Sequence, residues 1–229
     1  GDGTFTDITS KADTDDQGYG FSCAIGDYNN DGFLDLYVAN YGPNVLYHNN
    51  GDGTFTDTTK VAGVGNSRWS VAAAFADYDN DGDIDLFVAN YVEYRLENNP
   101  VCSRSGVQLY CNPEVFTGSP STLYRNNGDG TFSDYTQKAN LFNSNDKAMG
   151  ICWCDYDNDG DSDLFVANDK VADRLYKNNG DGTFTDVAFQ SGVALSEIGV
   201  AESSMAPVFG DINNDGWFDL VITNFHDEP

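Results

Sequence analysis

Four stretches of the sequence carry oxygen-bearing side chains at alternate positions, an arrangement that suits the coordination of a hard divalent cation. The clearest stretch, residues 77–85, has Asp at positions 1, 3, 5 and 9 and a glycine at position 6. Carboxylates this close repel one another, and no Lys or Arg lies inside the stretch to offset them. Ca²⁺ accepts about six to eight oxygen ligands in flexible geometry, and glycine permits the bend that brings them together. The spacing therefore predicts calcium binding.

We number these stretches loop 1 (residues 27–35), loop 2 (77–85), loop 3 (155–163) and loop 4 (211–219). Positions 1, 3, 5 and 9 are predicted to bind through their side chains, with Asn at position 3 of loops 1 and 4. Position 7 is predicted to bind through its backbone carbonyl, because its residue type varies among the loops. The predicted ligands, for one Ca²⁺ in each loop, are Asp27, Asn29, Asp31, Phe33, Asp35, Asp77, Asp79, Asp81, Asp83, Asp85, Asp155, Asp157, Asp159, Asp161, Asp163, Asp211, Asn213, Asp215, Trp217 and Asp219.

Other metals and another calcium motif fit the loops less well. Zn²⁺ is disfavoured because no His or Cys stands at a ligand position, and Mg²⁺ prefers fewer protein ligands and retained water. An EF-hand needs Glu at position 12 and flanking helices. Position 12 is instead apolar and lies in a strand-like run, as Val38, Val88, Val166 and Ile222.

Each loop lies between two runs that have the character of β-strands. Small and apolar residues precede the loops at 20–26, 70–76, 148–154 and 204–210, and runs with a period of two follow them, as at 35–40 and 85–90. A third run and a Gly-Asp-Gly-Thr-Phe segment, which begins at 1, 51, 128 and 180, complete the unit. Asn-Gly and Asp-Gly pairs between such runs are typical of tight hairpins. The unit predicts a four-stranded antiparallel sheet.

The loops begin 50, 78 and 56 residues apart, so residues 1–229 are predicted to form one region of four repeats. Radial stacking of such sheets gives an all-β β-propeller, and an all-β sandwich is the alternative. The sequence supplies four first, second and fourth strands but three third strands, at 45–49, 122–126 and 174–178. We therefore expect an arc of a larger propeller, a last sheet completed by another chain, or a four-bladed ring that lacks one strand.

The second repeat contains an insertion at residues 91–120 that includes two of the five cysteines. Cys102 and Cys111 lie nine residues apart in this Pro-rich loop, and we predict a disulfide there, since long loops in extracellular proteins are often stapled. Cys23, Cys152 and Cys154 align with small or apolar residues of other repeats, which predicts small core thiols. The odd count leaves at least one thiol free or intermolecular.

The composition describes a folded and strongly acidic chain. Asp and Glu number 37 against 11 Lys and Arg, for a net charge of −26, which argues against binding to nucleic acid or to anionic membranes. No apolar run is long enough to span a bilayer, and 40% hydrophobic residues are too many for a disordered acidic tail. The first residues resemble the interior of a repeat, and we expect no signal peptide in them.

Residues 77–86, followed by Asn126-Asn127-Gly128-Asp129-Gly130-Thr131-Phe132, resemble the FG-GAP/VCBS repeat. That repeat builds the propellers of integrin α-subunits and of the ASPIC/UnbV group, whose members are similar to cartilage acidic protein. The resemblance implies a propeller in which each loop binds Ca²⁺ within a blade hairpin through the positions named above. Segments 102–104 and 110–111 of the insertion also look like a feature of the ASPIC/UnbV-like proteins. Those proteins usually have more blades than this sequence supplies.

No catalytic constellation is present. His48 and His226 have no Ser or Cys nucleophile in a recognisable context and are predicted to be surface residues. The aromatic residues Trp69, Trp153, Trp217, Tyr91 and Tyr94 are assigned to the core rather than to a sugar-binding platform. We expect a non-catalytic, calcium-stabilised scaffold or adhesion module, secreted or on the cell surface, that contacts other protein chains, including identical chains in a polymer. A calcium-dependent glycan-binding lectin is the alternative, and an enzyme, which rests on fold analogy alone, ranks last.

Overall fold

The computed structural model describes residues 2–225, so the predicted surface position of His226 lies outside the described residues. The strands are numbered in chain order. The first sheet contains β1 (Tyr19–Gly26), β2 (Asp35–Tyr41), β3 (Val45–Asn49) and β4 (Phe55–Asp57). The second contains β5 (Ser70–Ala76), β6 (Asp85–Asn90), β9 (Thr122–Asn126) and β10 (Phe132–Asp134), with the separate hairpin β7 (Cys102–Arg104) and β8 (Val107–Leu109) between β6 and β9. The third contains β11 (Ala148–Cys154), β12 (Asp163–Asn168), β13 (Arg174–Asn178) and β14 (Phe184–Asp186), and the fourth contains β15 (Ser204–Gly210) and β16 (Asp219–Asn224).

The prediction of an all-β fold made of four-stranded antiparallel sheets is confirmed for the first three repeats. Only four short helices accompany the strands in the described part of the chain: α-helices at Thr9–Ala12 and Thr59–Ala62, and 3-10 helices at Leu96–Asn98 and Pro113–Val115. None of the helices within residues 2–225 has the length and apolar character that a membrane span requires.

The predicted fourth strand at the start of the chain is not formed. Residues 4–7 take no strand conformation, and the side chain of Phe5 is 103% exposed. In the other repeats this strand pairs with a third strand, as β4 pairs with β3. No third strand lies beside residues 4–7 in the described structure, so their backbone groups have no ladder to join.

The sheets stand side by side and pack face to face along an arc. The innermost strands are in contact in the order β1, β5, β11 and β15. A separate apolar core fills each space between neighbouring sheets, with Tyr37 and Leu86 in the first, Phe87 and Leu164 in the second, and Phe165 and Leu175 in the third. The middle sheets are therefore buried on both faces, as β6 is along its whole length, which argues against the sandwich. The described sheets do not close into a ring.

The two ends of the arc leave apolar side chains uncovered. On β1, Phe21 and Ile25 are exposed, and on the fourth sheet Val208 and Val221 are exposed. The prediction that Cys23 is a core thiol is therefore wrong, because β1 has no preceding sheet in the described structure and Cys23 is exposed on it. Cys152 and Cys154 on β11 are only partly buried, so their assignment to the core also needs correction. They lie on β11, the innermost strand of the third sheet.

The insertion is anchored to its neighbours at both ends. Val92 pairs with Gly118, which brings the two arms of the insertion together. The predicted disulfide between Cys102 and Cys111 is confirmed, and it joins the first residue of β7 to a residue that follows β8. Lys147, which is 6% exposed, donates a hydrogen bond from Nζ to the carbonyl of Pro113 at 2.9 Å and so ties the insertion to the third sheet.

Candidate metal centres

All four acidic loops lie at the same end of the sheets, where the innermost strand of each repeat turns into the second strand. Loop 2, for example, connects β5 to β6. Because the innermost strands contact one another in chain order, neighbouring loops also lie side by side.

The Asp at position 1 of each loop accepts hydrogen bonds from backbone N–H groups later in the same loop. In loop 2, Asp77 accepts hydrogen bonds from the backbone N–H of Asp81 at 3.1 Å and from that of Gly82 at 3.0 Å. Asn80 and Gly82 have φ values of 56° and 93°, a left-handed conformation that Asn tolerates and glycine favours. The same pair of bonds is made by Asp27, Asp155 and Asp211. The repeated spacing therefore produces one repeated local conformation.

The Asp at position 9 closes the loop from inside the protein. The Asp85 side chain is buried and accepts from the backbone N–H of Tyr78 at 3.2 Å and from that of Asn126 at 2.8 Å. Burial raises the pKa of the Asp85 carboxyl to about 7, and the nearby carboxylates of Asp79 and Asp81 add to the rise. The equivalent Asp163 is bound in the same way, and burial raises its pKa to about 6. A nearby cation would favour the charged form of both groups.

Carboxylates converge in two of the four loops. Oxygen atoms of Asp77, Asp79 and Asp85 lie within 4.8 Å of one another in loop 2, as do oxygen atoms of Asp155, Asp157 and Asp159 in loop 3. These two triads could hold a metal ion such as Ca²⁺. Among the described residues, loops 1 and 4 form no such triad.

The residues at position 3 provide a test of whether a cation fits. Asp79 Oδ1 and Asp157 Oδ1 are both buried and have no hydrogen-bond partner among the described residues. Buried polar atoms are nearly always satisfied, and an orphaned carboxylate oxygen beside two other carboxylates suits a hard cation. The donor set of oxygens without nitrogen or sulfur also suits Ca²⁺. The residues of loops 2 and 3 therefore fit the ion that their spacing predicts.

The other predicted ligands are placed in the loops but are not drawn into a triad. In loop 1, the amide of Asn29 donates to Asp31 at 3.1 Å. In loop 4, Asn213 accepts from the backbone of Asp215 at 2.9 Å. Binding through the position 7 carbonyls stays a prediction, as do the sites in loops 1 and 4. The side chains of Asp83 and Asp161 at position 7 are turned toward the preceding loop, where Asn30 and Asn80 donate to them at 2.7 and 2.8 Å.

Sequence reasoning missed a basic side chain that reaches each of the first three loops from the third strand of its sheet. Arg125 Nε lies 2.7 Å from Asp79 Oδ2, and its Nη2 lies 3.2 Å from Asp81 Oδ2. Lys177 contacts Asp157 and lies 3.0 Å from Asp159, and these carboxylates raise the pKa of its ammonium group. No Lys or Arg lies inside the loops, as the sequence indicates, but these basic side chains from the third strands offset part of the loop charge. The sequence contained a signal for these contacts, because Arg125 and Lys177 stand at the same position of their repeats, directly before an Asn-Asn-Gly segment.

His48 occupies the same position in the first sheet and is not a free surface residue. Its Nδ1 lies 3.1 Å from Asp35 Oδ1, and its side chain is 26% exposed. Nothing in the sequence indicated this contact, because it joins residues on two different strands. A cation entering loops 1 to 3 would therefore share its carboxylates with a basic side chain.

Hydrogen bonds also join loops 1 and 2 to the next sheet. Asn126, at the end of β9, donates to the carbonyl of Tyr28 in loop 1 at 2.7 Å and to that of Ile84 in loop 2 at 3.0 Å. Asn178, at the end of β13, donates in the same way to Tyr78 in loop 2 at 2.7 Å and to Ser162 in loop 3 at 3.1 Å. Ordering one loop therefore supports its neighbour.

The sequence profile of the FG-GAP-like repeat matches residues 27–88, 111–166 and 155–222, which together make up more than half of the chain. The chain therefore belongs to the FG-GAP-like repeat family, and its sheets are propeller blades arranged in an arc.

Within that class the chain is distantly related to cartilage acidic protein 1, which confirms the resemblance to the ASPIC group. The Homo sapiens protein is 26% identical over 125 residues, which cover 55% of this chain and 18% of that protein. The Xenopus tropicalis protein is 30% identical over 128 residues, again 55% of this chain and 18% of that protein. The matched segment thus spans less than a fifth of the length of these relatives.

A solved structure with some similarity is that of an Agrocybe aegerita lectin described as recognising non-reducing terminal N-acetylglucosamine. It is 17% identical, with a TM-score of 0.29, and the match covers 89% of this chain and 60% of the lectin. A similarity this low carries no argument about the present chain.

Proposed function

We propose that the chain is a non-catalytic, calcium-stabilised extracellular module that presents a surface to other proteins. Calcium binding is supported by two buried oxygens that have no hydrogen-bond partner among the described residues, Asp79 Oδ1 and Asp157 Oδ1. Each lies next to converging carboxylates, and the two loops are adjacent. Calcium bound there would satisfy both atoms and reduce the repulsion within a chain of net charge −26.

Calcium is proposed to stabilise the blades and not to perform chemistry. The loops are joined across blade boundaries by Asn126 and Asn178, so a cation that orders one loop also supports the contact with the next blade. A ligand that binds only the folded state raises the free energy of unfolding. Loss of calcium should therefore weaken neighbouring blades together.

An extracellular setting is supported by two features. The disulfide between Cys102 and Cys111 is of a kind that persists in oxidising compartments. Extracellular calcium modules bind weakly, with dissociation constants of about 10⁻⁴ to 10⁻³ M, and mixed Asp and Asn loops with competing basic residues fit weak binding.

The proposed protein-contact surface is the disulfide-bonded hairpin of the insertion. Val101, Val107, Leu109 and Tyr110 are all exposed there, with Tyr110 at 103%. Apolar side chains grouped on a surface mark an interaction site more often than scattered ones do. Other protein chains, including copies of this one in an oligomer or a polymer, are the proposed partners.

Thermal unfolding with and without calcium tests the stabilising role. We expect the melting temperature to fall by about 5 °C or more when EGTA replaces 1 mM CaCl₂, because two or more sites lose their ligand. Asp79→Asn should reduce this difference. Asp129→Asn, at an exposed Asp in a Gly-Asp-Gly turn, is the matched control and should leave the difference unchanged. Equal melting curves in CaCl₂ and EGTA would overturn the proposal.

Glycan binding is a second candidate function, and a cavity lined by aromatic and polar side chains between the first and second blades favours it. A glycan array probed in calcium tests it. Retention of a glycan would support it, and an array without any signal would remove it while leaving the calcium-stabilised module intact.

A further inference from the structure

We propose that a neutral saccharide binds in the cavity between the first and second blades, at the strand ends opposite the acidic loops. This inference rests on the glycan-binding candidate and assigns it a site. The cavity has a volume of about 750 Å³, within the range of about 300 to 1,000 Å³ that ligand sites usually have. Its walls come from the end of β2, the segment before β5, the start of the insertion and the outer strands β9 and β10.

An aromatic cluster forms one side of the cavity. The Trp69 ring lies 5.4 Å from the Tyr41 ring and 5.6 Å from the Tyr94 ring, measured between centroids. Tyr41 and Tyr94 lie 5.9 Å apart, and all three side chains are only partly buried. Such rings offer apolar faces against which the C–H groups of a sugar ring can pack, and they keep polar atoms at their edges. The assignment of Trp69 and Tyr94 to the core alone is therefore incomplete.

Polar groups of both signs lie next to this cluster. Arg68 Nε lies 4.0 Å from Glu93 Oε1, and the two side chains are 43% and 51% exposed, so both retain hydrogen-bonding capacity for a ligand. Asn66 accepts from the backbone N–H of Arg68 at 2.9 Å, which holds that segment in place. The other charged residues of the wall are Arg95, Glu97 and Asp134.

This wall suits hydroxyl groups better than it suits an ion. A phosphate or nucleotide would meet Glu93, Glu97 and Asp134 in a chain of net charge −26. A cationic ligand would meet Arg68 and Arg95. A hydroxyl both donates and accepts, so it can bond to guanidinium and carboxylate groups alike. A neutral polyhydroxyl ligand with an apolar ring face uses both features of the cavity.

The insertion is what turns the blade boundary into a cavity. Its first arm carries Glu93 and Tyr94, and the backbone N–H of Glu93 donates to the carbonyl of Thr117 at 2.9 Å. Ser119 Oγ donates to Glu93 Oε1 at 2.6 Å and fixes the direction of that carboxylate. Phe116 packs against Tyr94 with centroids 5.8 Å apart. The second arm of the insertion therefore holds the residues of the first arm that face the ligand.

The site is remote from the proposed calcium ions. The acidic loops lie at the opposite ends of strands of about seven residues, a distance of about 20 Å. No loop residue lines the cavity. The bound saccharide would therefore contact no calcium, and chelation would weaken binding only by destabilising the fold.

Titration with simple sugars tests the site on the whole chain. Methyl glycosides of glucose, galactose, mannose and N-acetylglucosamine, and glucuronic acid as a charged probe, would be followed by saturation-transfer NMR and tryptophan fluorescence. We expect saturable binding of at least one neutral glycoside, weakened about tenfold by Tyr94→Ala, equivalent to about 1.4 kcal/mol. Tyr110→Ala removes the fully exposed tyrosine of the same insertion and should leave affinity unchanged.

Two further variants keep the test decisive if Tyr94→Ala fails to fold. Tyr94→Phe should retain binding because the ring remains, and Arg68→Gln should weaken it with little effect on the aromatic cluster. If the wild type, Arg68→Gln and every folded Tyr94 variant bind neutral sugars equally well, the proposed site is overturned but the glycan function is not. Saturation by none of the sugars would overturn the site, and a glycan array with signal would then show that the function survives elsewhere. Preferential binding of glucuronic acid would overturn the assignment to a neutral ligand.

Discussion

Loops 2 and 3 differ from loops 1 and 4 although all four have the same spacing. In loops 2 and 3 carboxylates converge, whereas in loops 1 and 4 an Asn stands at position 3 and no triad forms in the described structure. Loop 2 and loop 3 also lie between two neighbouring loops, while loops 1 and 4 each have one described neighbour. The comparison indicates that the motif sets the fold of the loop, and that one side chain and the neighbouring blades decide how strongly it attracts a cation.

The largest expected difference between the loops is in the free energy of unfolding that is lost when the Asp at position 9 is replaced. Asp85→Ala would leave the backbone N–H groups of Tyr78 and Asn126 without their buried acceptor, at a cost of about 3 kcal/mol in the free energy of unfolding. Asp219→Ala in loop 4 should cost about 1 kcal/mol, because Asp219 is less buried and accepts from Ile212 at an exposed site. Urea unfolding in EGTA measures both. Equal losses would show that the loops are energetically alike and would break the comparison.

A smaller difference is expected for the Asn residues that end the third strands. Asn178→Ala removes hydrogen bonds to loop 2 and loop 3 at once and should destabilise the protein by about 2 kcal/mol. Asn49→Ala, at the equivalent position of the first blade, removes an exposed bond to Leu34 and should cost less than about 1 kcal/mol. The same urea experiment compares them. If Asn49→Ala proved the more costly, the bonds between loops would not be what stabilises the blade boundary.

The smallest expected effect is a gain in the calcium affinity of loop 1 when its position 3 is made acidic. Asn29→Asp gives loop 1 the same acidic residues at positions 1, 3, 5 and 9 as loop 2, and the added charge should tighten calcium binding by about tenfold at that loop. Isothermal titration calorimetry with CaCl₂ measures the change. Asn50→Asp adds the same charge in an exposed turn outside the loop and serves as the control. A gain shared by both variants would mean that overall charge, and not position 3, sets the affinity.

Much of the fold followed from local patterns. The innermost and third strands were predicted within about one residue of their ends, because small residues, period-two alternation and Gly-Asp-Gly turns act over a few neighbouring positions. The disulfide was predicted from two cysteines in one loop. The absence of a strand at residues 4–7 was not predicted, because a strand forms only where a neighbouring strand provides partners for its backbone hydrogen bonds.

The features of the candidate metal centres and of the cavity likewise fall into those that the local sequence determined and those that only the tertiary structure decided. Alternate Asp and Asn residues by themselves determined where the loops fold and which atoms could face a cation, since those relations span only nine positions. Only the tertiary structure decided that Arg125 and Lys177 meet the loops and that Asn178 joins Tyr78 at a separation of 100 residues. It also decided that Tyr41, Trp69 and Tyr94 line one side of the same cavity. These contacts depend on how separate blades stack, and the stacking arises from the apolar cores between the blades, which bring together residues that no local spacing relates.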